Sequence, residues 1–444
     1  MRIVLLFCGL LIFACGDALE ISGNEQELYQ NHLLLKAYFY HPEKVKKYEE
    51  YRGMEVDSMY ESLEDYFCGA NFVGNCPARY TIYFPPEESD DRINNIENTK
   101  KYYSFGFERR ENKSEDTMIV SAVYPISPAA SAGLRKRDKL LFANEVSLTD
   151  LNSKDFAAYL KNDEPFENTT VFKVLRDGEI KILPAMRKGE IQEPTVYLDS
   201  IEGIPYVQIK SYKVNTNNPH GTYSEFRNVL QEIKGAKAAI MDLRGNPGGN
   251  IGHCTAMAAE LVPLNSELVY DVQHYRDSKR GNVVDISHDY ARDFLTQEGL
   301  GVNIKWVILM NKGSASCSER FTAAVKYNRP ETVVIGQTSY GKGIGQMYAK
   351  TYMGGLAYIT CLQTFYPNGE TFHNIGIIPD IPTEPGNIEV LRDEAIKAAR
   401  NFGAAAKLST MPTSSEPLPP ERPVDKWEPA ANKRIELPLF HQWE

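Results

Sequence analysis

The sequence predicts an α/β protein: a core over residues 189–402 built on a mixed, largely parallel sheet with helices, preceded by a β-rich module at 99–188 and a small helical region at 20–98. Three observations predict it. In the second half of the chain strand-like and helix-like runs alternate, the pattern of strands joined through helices. Between 102 and 188 short β-prone runs are separated by turn residues. Within the first hundred residues the apolar positions follow helical spacing, in Leu33-Leu34-Leu35, Tyr38 and Tyr40 and again in Met59, Leu63 and Phe67.

The first 19 residues precede this organisation. Met1-Arg2 and the apolar run 3–14 form a charged segment and a hydrophobic one that falls short of the about 20 apolar residues a membrane span needs. The run ends in Ile12-Phe13-Ala14-Cys15-Gly16, which resembles a bacterial lipobox. The resemblance implies lipidation of Cys15 and a chain anchored to a bacterial membrane in the cell envelope, facing the periplasm or the exterior. An ordinary secretory signal cut after Gly16 or Ala18 is the alternative.

The helical region is expected to end near Pro85-Pro86 and the acidic stretch 87–98. Strands are expected in the β-rich module at 117–120, 139–143 and 170–174, with one helix at 155–161. In the core the expected order is strand 206–210, helix 222–233, strand 238–243, helix 254–261, strand 305–310, helix 318–327 and strand 332–335. Two long β runs, 347–352 and 356–365, and a helix at 388–401 follow. Seven prolines after Ser409 predict an extended tail over 403–444.

Composition narrows the function. The 444 residues are 42% hydrophobic and 24% charged, an ordinary globular balance. Forty-nine basic against 59 acidic side chains give a net charge of −10, and no basic run could neutralise a row of phosphates, so nucleic acid is excluded as a partner. No HExxH or CxxC pair occurs, which argues against a metal site; no cofactor is expected. With Cys8 removed and Cys15 lipidated, five cysteines remain, Cys68, Cys76, Cys254, Cys317 and Cys361, and an odd number leaves a free thiol. Cys68 and Cys76 either close a small loop or stay as two thiols, since spacing alone does not bring their Cα atoms together.

Glycine turns fall where an α/β sheet places its ligands, at the carboxyl ends of strands. Gly336 to Lys342 fits GxxxxGK, but Gly343 stands where a phosphate loop needs Ser or Thr. Gly245-Asn246-Pro247-Gly248-Gly249 looks like the nucleophile segment of trypsin-like proteases, with proline in place of serine. Gly313-Ser314-Ala315-Ser316-Cys317-Ser318-Glu319 follows a strand and opens a helix, a position from which a serine projects among backbone N–H groups. A serine hydroxyl needs a base. Lys342 lies 26 residues beyond Ser316, the length of a helix-and-strand excursion, and a lysine among glycines can lose solvation and its proton.

At these residues the chain resembles the C-terminal processing peptidases, serine proteases with a PDZ domain. The match continues in Phe365-Tyr366-Pro367-Asn368-Gly369 and Gly376-Ile377-Ile378-Pro379-Asp380. The resemblance implies a ClpP/crotonase-like core, with Ser316 as nucleophile, Lys342 as general base and Gln346 orienting it. The oxyanion hole would be Cys317 N–H with that of Gly248 or Gly249. Ser104-Phe105-Gly106-Phe107 resembles the loop on which PDZ domains hold a peptide's terminal carboxylate, which implies protein substrates with apolar C-termini captured by the module. The charged residues directly after that loop fit an inert spacer as well. The implied function is an exported serine endopeptidase cutting at or near C-termini; a catalytically silent peptide-binding scaffold is the alternative. His373 is read as structural, and oligomeric state is left open by the sequence.

Overall fold

The computed structural model describes residues 23–402 except 70–73, 113–116, 125, 149–160, 163–168, 219 and 278–280. The signal segment with Cys15, all but the last residue of the helix expected at 155–161, and the proline-rich tail lie outside the described residues. Residue 161 itself is in strand Lys161–Asn162.

The core carries a six-stranded sheet in the order Val196–Ile201, Ile204–Ile209, Ala238–Asp242, Lys305–Met310, Val333–Gly336 and Ile381–Pro382. The first pair is antiparallel and every other pair parallel. Its central strands are almost continuously apolar because both faces are covered. Met241 and Ile308 face the cluster made with helices Gly221–Glu232, Ile251–Ala259 and Cys317–Asn328. Ile240, Val307 and Leu309 face the terminal helix Ile388–Asn401 through Leu391 and Ala395. Helix Ile251–Ala259 starts three residues before its expected position because Asn250 caps it, accepting from His253 N–H at 3.0 Å.

A second sheet is antiparallel. It runs Ile82–Phe84, Leu356–Phe365, Glu267–Asp277, Gly281–Tyr290, with Ile344–Lys350 also paired to Leu356–Phe365. The hairpin 267–290 has no counterpart in the sequence reading: its second strand leaves Val284 and Ile286 exposed and so carries no buried apolar run. The helical region is a layer on this sheet. Leu28, Leu35, Phe39 and Met59 pack with Met347, Ala357 and Ile359, and Tyr40 N–H reaches Thr360 O at 2.9 Å. The acidic stretch expected to break this region is instead helix Pro86–Glu97, with Pro86 at the first helical position, where no N–H is needed.

In the β-rich module five strands run in the order Phe107–Asn112, Thr117–Val123, Lys139–Ala143, Phe172–Arg176, Glu179–Ile182, with Val146–Ser147 against Lys139–Ala143. Phe105 and Phe107 meet Phe172 edge-on at 5.1 and 5.7 Å between ring centroids. No helix of the described residues is long and apolar enough to cross a membrane.

Candidate active site

Three turns at the carboxyl ends of neighbouring parallel strands build the site. The first follows Ala238–Asp242. Asp242 accepts from Arg244 through both carboxylate oxygens at 2.8 and 2.7 Å, which fixes the chain as it leaves the strand. Asn246 then holds the turn: its Nδ2 donates to Ile209 O, its Oδ1 accepts from Gly248 N–H, and its carbonyl accepts from Ala315 N–H at 3.0 Å and from the Ser318 hydroxyl at 3.0 Å. Asn246 thereby fastens this turn to the second one. A Cβ on Gly248, at φ +104°, would stand 2.8 Å from Ser316 Cβ and 2.9 Å from Cys317 N, so only glycine fits.

The second turn follows Lys305–Met310 and ends in helix Cys317–Asn328. Its three serines are used differently. Ser314 is buried, donating to Leu243 O at 2.8 Å and accepting from Asn311 N–H at 3.0 Å. Ser318 is buried and donates to Asn246 O. Ser316 is half-buried, and its hydroxyl donates to none of the described residues. Its backbone has φ 54° and ψ −114°, outside the region a residue with a side chain ordinarily adopts, and such strain collects where a nucleophile is held out on a sharp turn.

Sequence left Gly248 and Gly249 as equal candidates for an anion-binding N–H. The Gly248 N–H is taken by Asn246 Oδ1 at 2.9 Å. The N–H groups of Gly249 and Cys317 donate to no group among the described residues. Gly249 is bridged to Tyr212 through its neighbours, Gly248 O and Asn250 N, which leaves its own polar groups on the other side, where its carbonyl lies 3.4 Å from Cys317 Sγ. Of the three candidate N–H groups, those of Gly249 and Cys317 are therefore the ones left without an acceptor among the described residues.

Lys342 comes from the turn after Val333–Gly336. Its Nζ donates to Gln346 Oε1 at 3.0 Å and lies 4.6 Å from the centroid of the Tyr80 ring. Gln346 is held by Thr360 Oγ1 at 3.2 Å. Burial lowers the lysine pKa to about 8, with Glu319 acting in the opposite sense. Ser316 N–H and Lys342 N–H both donate to Glu319 Oε2 at 2.8 Å. Two nitrogens each 2.8 Å from one oxygen are at most 5.6 Å apart, so the structure brings the backbones of the predicted serine and lysine together.

The site also holds residues that the sequence reading did not single out. Glu319, Asn246 and Tyr80 all touch it. Glu319 stands three places after an N-cap serine, a capping-box spacing that can be read from sequence. Tyr80 carries no sequence signal; it arrives with the helical region, which docks through Asn75 Nδ2 on Gly341 O at 2.7 Å. His373 lies behind the lysine turn, its Nδ1 accepting from Gly343 N–H at 3.2 Å, and burial lowers its pKa.

Two disulfides are present, Cys68–Cys76 and Cys254–Cys317, and Cys361 is free. The second joins the residue after Ser316 to the helix that follows the glycine turn. The double variant Cys254→Ala/Cys317→Ala is expected to lose about 4 kcal/mol in the loop-closure account yet to keep its activity, because Cys317 serves the site through backbone. Urea unfolding and peptide hydrolysis on one preparation check both halves.

In the module's loop Ser104 and both phenylalanines are buried, Gly106 N–H donates to Ser104 Oγ at 3.3 Å, and strand Phe107–Asn112 is at the edge of its sheet among the described residues. Among the described residues no cluster of three or more His, Cys, Asp or Glu is arranged to hold a metal ion.

Residues 203–383 match the model of peptidase family S41. The carboxy-terminal processing protease CtpA of Bacillus subtilis (strain 168) is 27% identical over 278 residues, 62% of this chain and 54% of that protein. A probable CtpA-like serine protease of Staphylococcus aureus (strain COL) is 28% identical over 271 residues, 61% of this chain and 50% of that protein. The chain thus spans about half the length of the curated relatives it matches. Among solved structures, the photosystem II D1 C-terminal processing protease is 16% identical with a TM-score of 0.46, over 84% of this chain and 98% of that one.

Proposed function

Since the chain belongs to the C-terminal processing peptidases, with its peptidase family S41 domain at residues 203–383, we propose that it is a serine endopeptidase that cuts proteins at or near their C-termini with a Ser316–Lys342 dyad. One observation carries the reading: of three serines on the turn, only Ser316 keeps its hydroxyl proton uncommitted, and its backbone is pinned to that of a desolvated lysine. In this reading the neutral Lys342 amine takes the proton as Ser316 Oγ attacks the scissile carbonyl, forming a tetrahedral intermediate whose oxyanion accepts from Gly249 and Cys317 N–H. The resulting ammonium, held by Gln346 Oε1, returns the proton to the leaving amine, and a water then repeats the sequence on the acyl-enzyme. Fluorophosphonate labelling of the purified chain, with Ser316→Ala as control, tests the proposal.

The β-rich module serves in this proposal as a PDZ domain that captures substrates with apolar C-termini. Its strand Phe107–Asn112 ends the strand order among the described residues, the place where a peptide would add as a further strand. Deleting 102–188 is expected to slow cleavage of folded proteins with apolar C-termini by about tenfold or more while changing hydrolysis of short unstructured peptides less than about threefold, the scale of a lost binding site rather than lost chemistry. Parallel rate measurements on the two substrates check this, and equal effects on both favour the spacer. Export and lipid anchoring through Cys15, with the envelope location they imply, complete the proposal.

A further inference from the structure

We infer that Glu319 is a positioning residue of the proposed reaction: a single buried carboxylate that clamps the backbone of the nucleophile's turn to the backbone of the base's turn. The inference rests on the peptidase reading and adds a residue to it.

The carboxylate is fully buried and receives four hydrogen bonds. Oε2 accepts from Ser316 N–H and Lys342 N–H, each at 2.8 Å, and Oε1 accepts from Gly341 N–H and the Ser339 hydroxyl, each at 2.5 Å. Two oxygens offer about four lone-pair sites, so its accepting capacity is spent on these two turns. Ser339 Oγ in turn accepts from Ile377 N–H at 2.6 Å, which carries the clamp into the Gly376-Ile377 segment. Hydrogen bonds to a charged acceptor are roughly twice as strong as neutral ones. Burial alone raises the Glu319 pKa, and the four donors oppose that.

An ordinary capping box needs only the first of these bonds, from the N-cap N–H to the glutamate. The other three reach a turn 20 to 23 residues away in sequence and do nothing for the helix. They hold the main chain at Lys342 against the main chain at Ser316, whose φ of 54° needs its surroundings to fix it. A nucleophile and base must meet within hydrogen-bond reach, and a misplacement of about 1 Å costs on the order of 100-fold in rate.

The charge has a second effect. Glu319 favours the ammonium form of Lys342, against burial. The other groups around the lysine are Gln346 Oε1 and the Tyr80 ring; His373 lies behind Gly343, Arg79 acts on Tyr80, and the Tyr80 and Tyr366 hydroxyls also face the Glu319 charge.

The test compares Glu319→Gln, which keeps the reach and loses the charge, with Glu319→Asp, which keeps the charge and loses the reach, both in the full chain. Both are expected to lower kcat by about 10-fold or more on an unstructured peptide with KM held within about 2-fold, as for geometry lost only in the transition state. Only Glu319→Gln is expected to move the lysine limb of the pH–rate profile, downward by about half a unit or more, because only it removes a negative charge. Wild-type kcat in Glu319→Gln, or a limb that stays in place, overturns the inference. Wild-type protein that fluorophosphonate does not label overturns the peptidase reading and this inference with it, whereas labelled wild type beside indifferent Glu319 variants overturns the inference alone. Should Glu319→Gln fail to fold by circular dichroism, Ser339→Ala decides, since it removes one donor and leaves the charge. It is expected to lower kcat by about 3-fold at constant KM, and wild-type kcat there overturns the inference.

Discussion

Ser316→Ala is expected to abolish peptide hydrolysis, with a fall in kcat on the order of 10⁶-fold, while the protein still folds. The two halves follow from one feature of the turn. The Ser316 hydroxyl donates no hydrogen bond to the described residues, so removing it leaves no buried group orphaned and costs at most about 1 kcal/mol as a lost N-cap. The same freedom is what a nucleophile requires. Ser314→Ala and Ser318→Ala invert the pattern: each removes one of two donors from a buried carbonyl, leaving Leu243 O with Asn246 N–H and Asn246 O with Ala315 N–H, and Ser314→Ala also takes the acceptor from Asn311 N–H, at about 0.5–1.5 kcal/mol for each hydrogen bond lost. Their losses are expected in the unfolding midpoint, with kcat reduced far less than in Ser316→Ala. Hydrolysis rates and urea melts of the three variants check the contrast; wild-type turnover in Ser316→Ala defeats the assignment.

The chemistry of this chain sits on features that local sequence encodes. A turn between a buried strand and a helix is marked by small residues, and the runs around Gly245-Asn246-Pro247-Gly248-Gly249 and Ser314-Ala315-Ser316 show where the chain must turn tightly and expose backbone N–H groups. The parallel core was legible because strands such as Lys305–Met310, covered on both faces, are apolar throughout. In the second sheet the strands Ile344–Lys350 and Leu356–Phe365 were legible as β runs, whereas the hairpin pairing Glu267–Asp277 with Gly281–Tyr290 was not, because its second strand turns Val284 and Ile286 to solvent and buries no apolar run. Long-range partners were equally hidden. Cys254 and Cys317 are 63 residues apart, and nothing in that spacing says that their Cα atoms come within 5.7 Å. The contact of Tyr80 with Lys342 exists only because the helical region packs on the antiparallel sheet, an arrangement its own helical periodicity does not specify.

Activity is expected to rise with pH along a limb centred at about 8, the value to which burial lowers Lys342. The sign follows from which form reacts. The neutral amine accepts the Ser316 proton, so with a pKa near 8 about a tenth of the sites are competent at pH 7 and the rate climbs nearly tenfold per unit below the midpoint before levelling. A base at His373 predicts something else, because burial lowers that imidazole from the ordinary histidine value of 6.5 and its limb would lie below the one expected for Lys342. Folding is linked to the same proton: the unfolded chain binds it more tightly between about 8 and the ordinary lysine value of 10.5, so this group's contribution to stability rises with pH through that window. Lys342→Arg separates charge from basicity. Arginine keeps the positive charge and has no neutral form in this range, so it is expected to be as inactive as Lys342→Ala, at a cost of about 10²–10⁴-fold or more for the missing base. The pH–rate profile of the wild type and the residual rates of both variants check this together. Substantial activity in Lys342→Arg means that another group deprotonates Ser316.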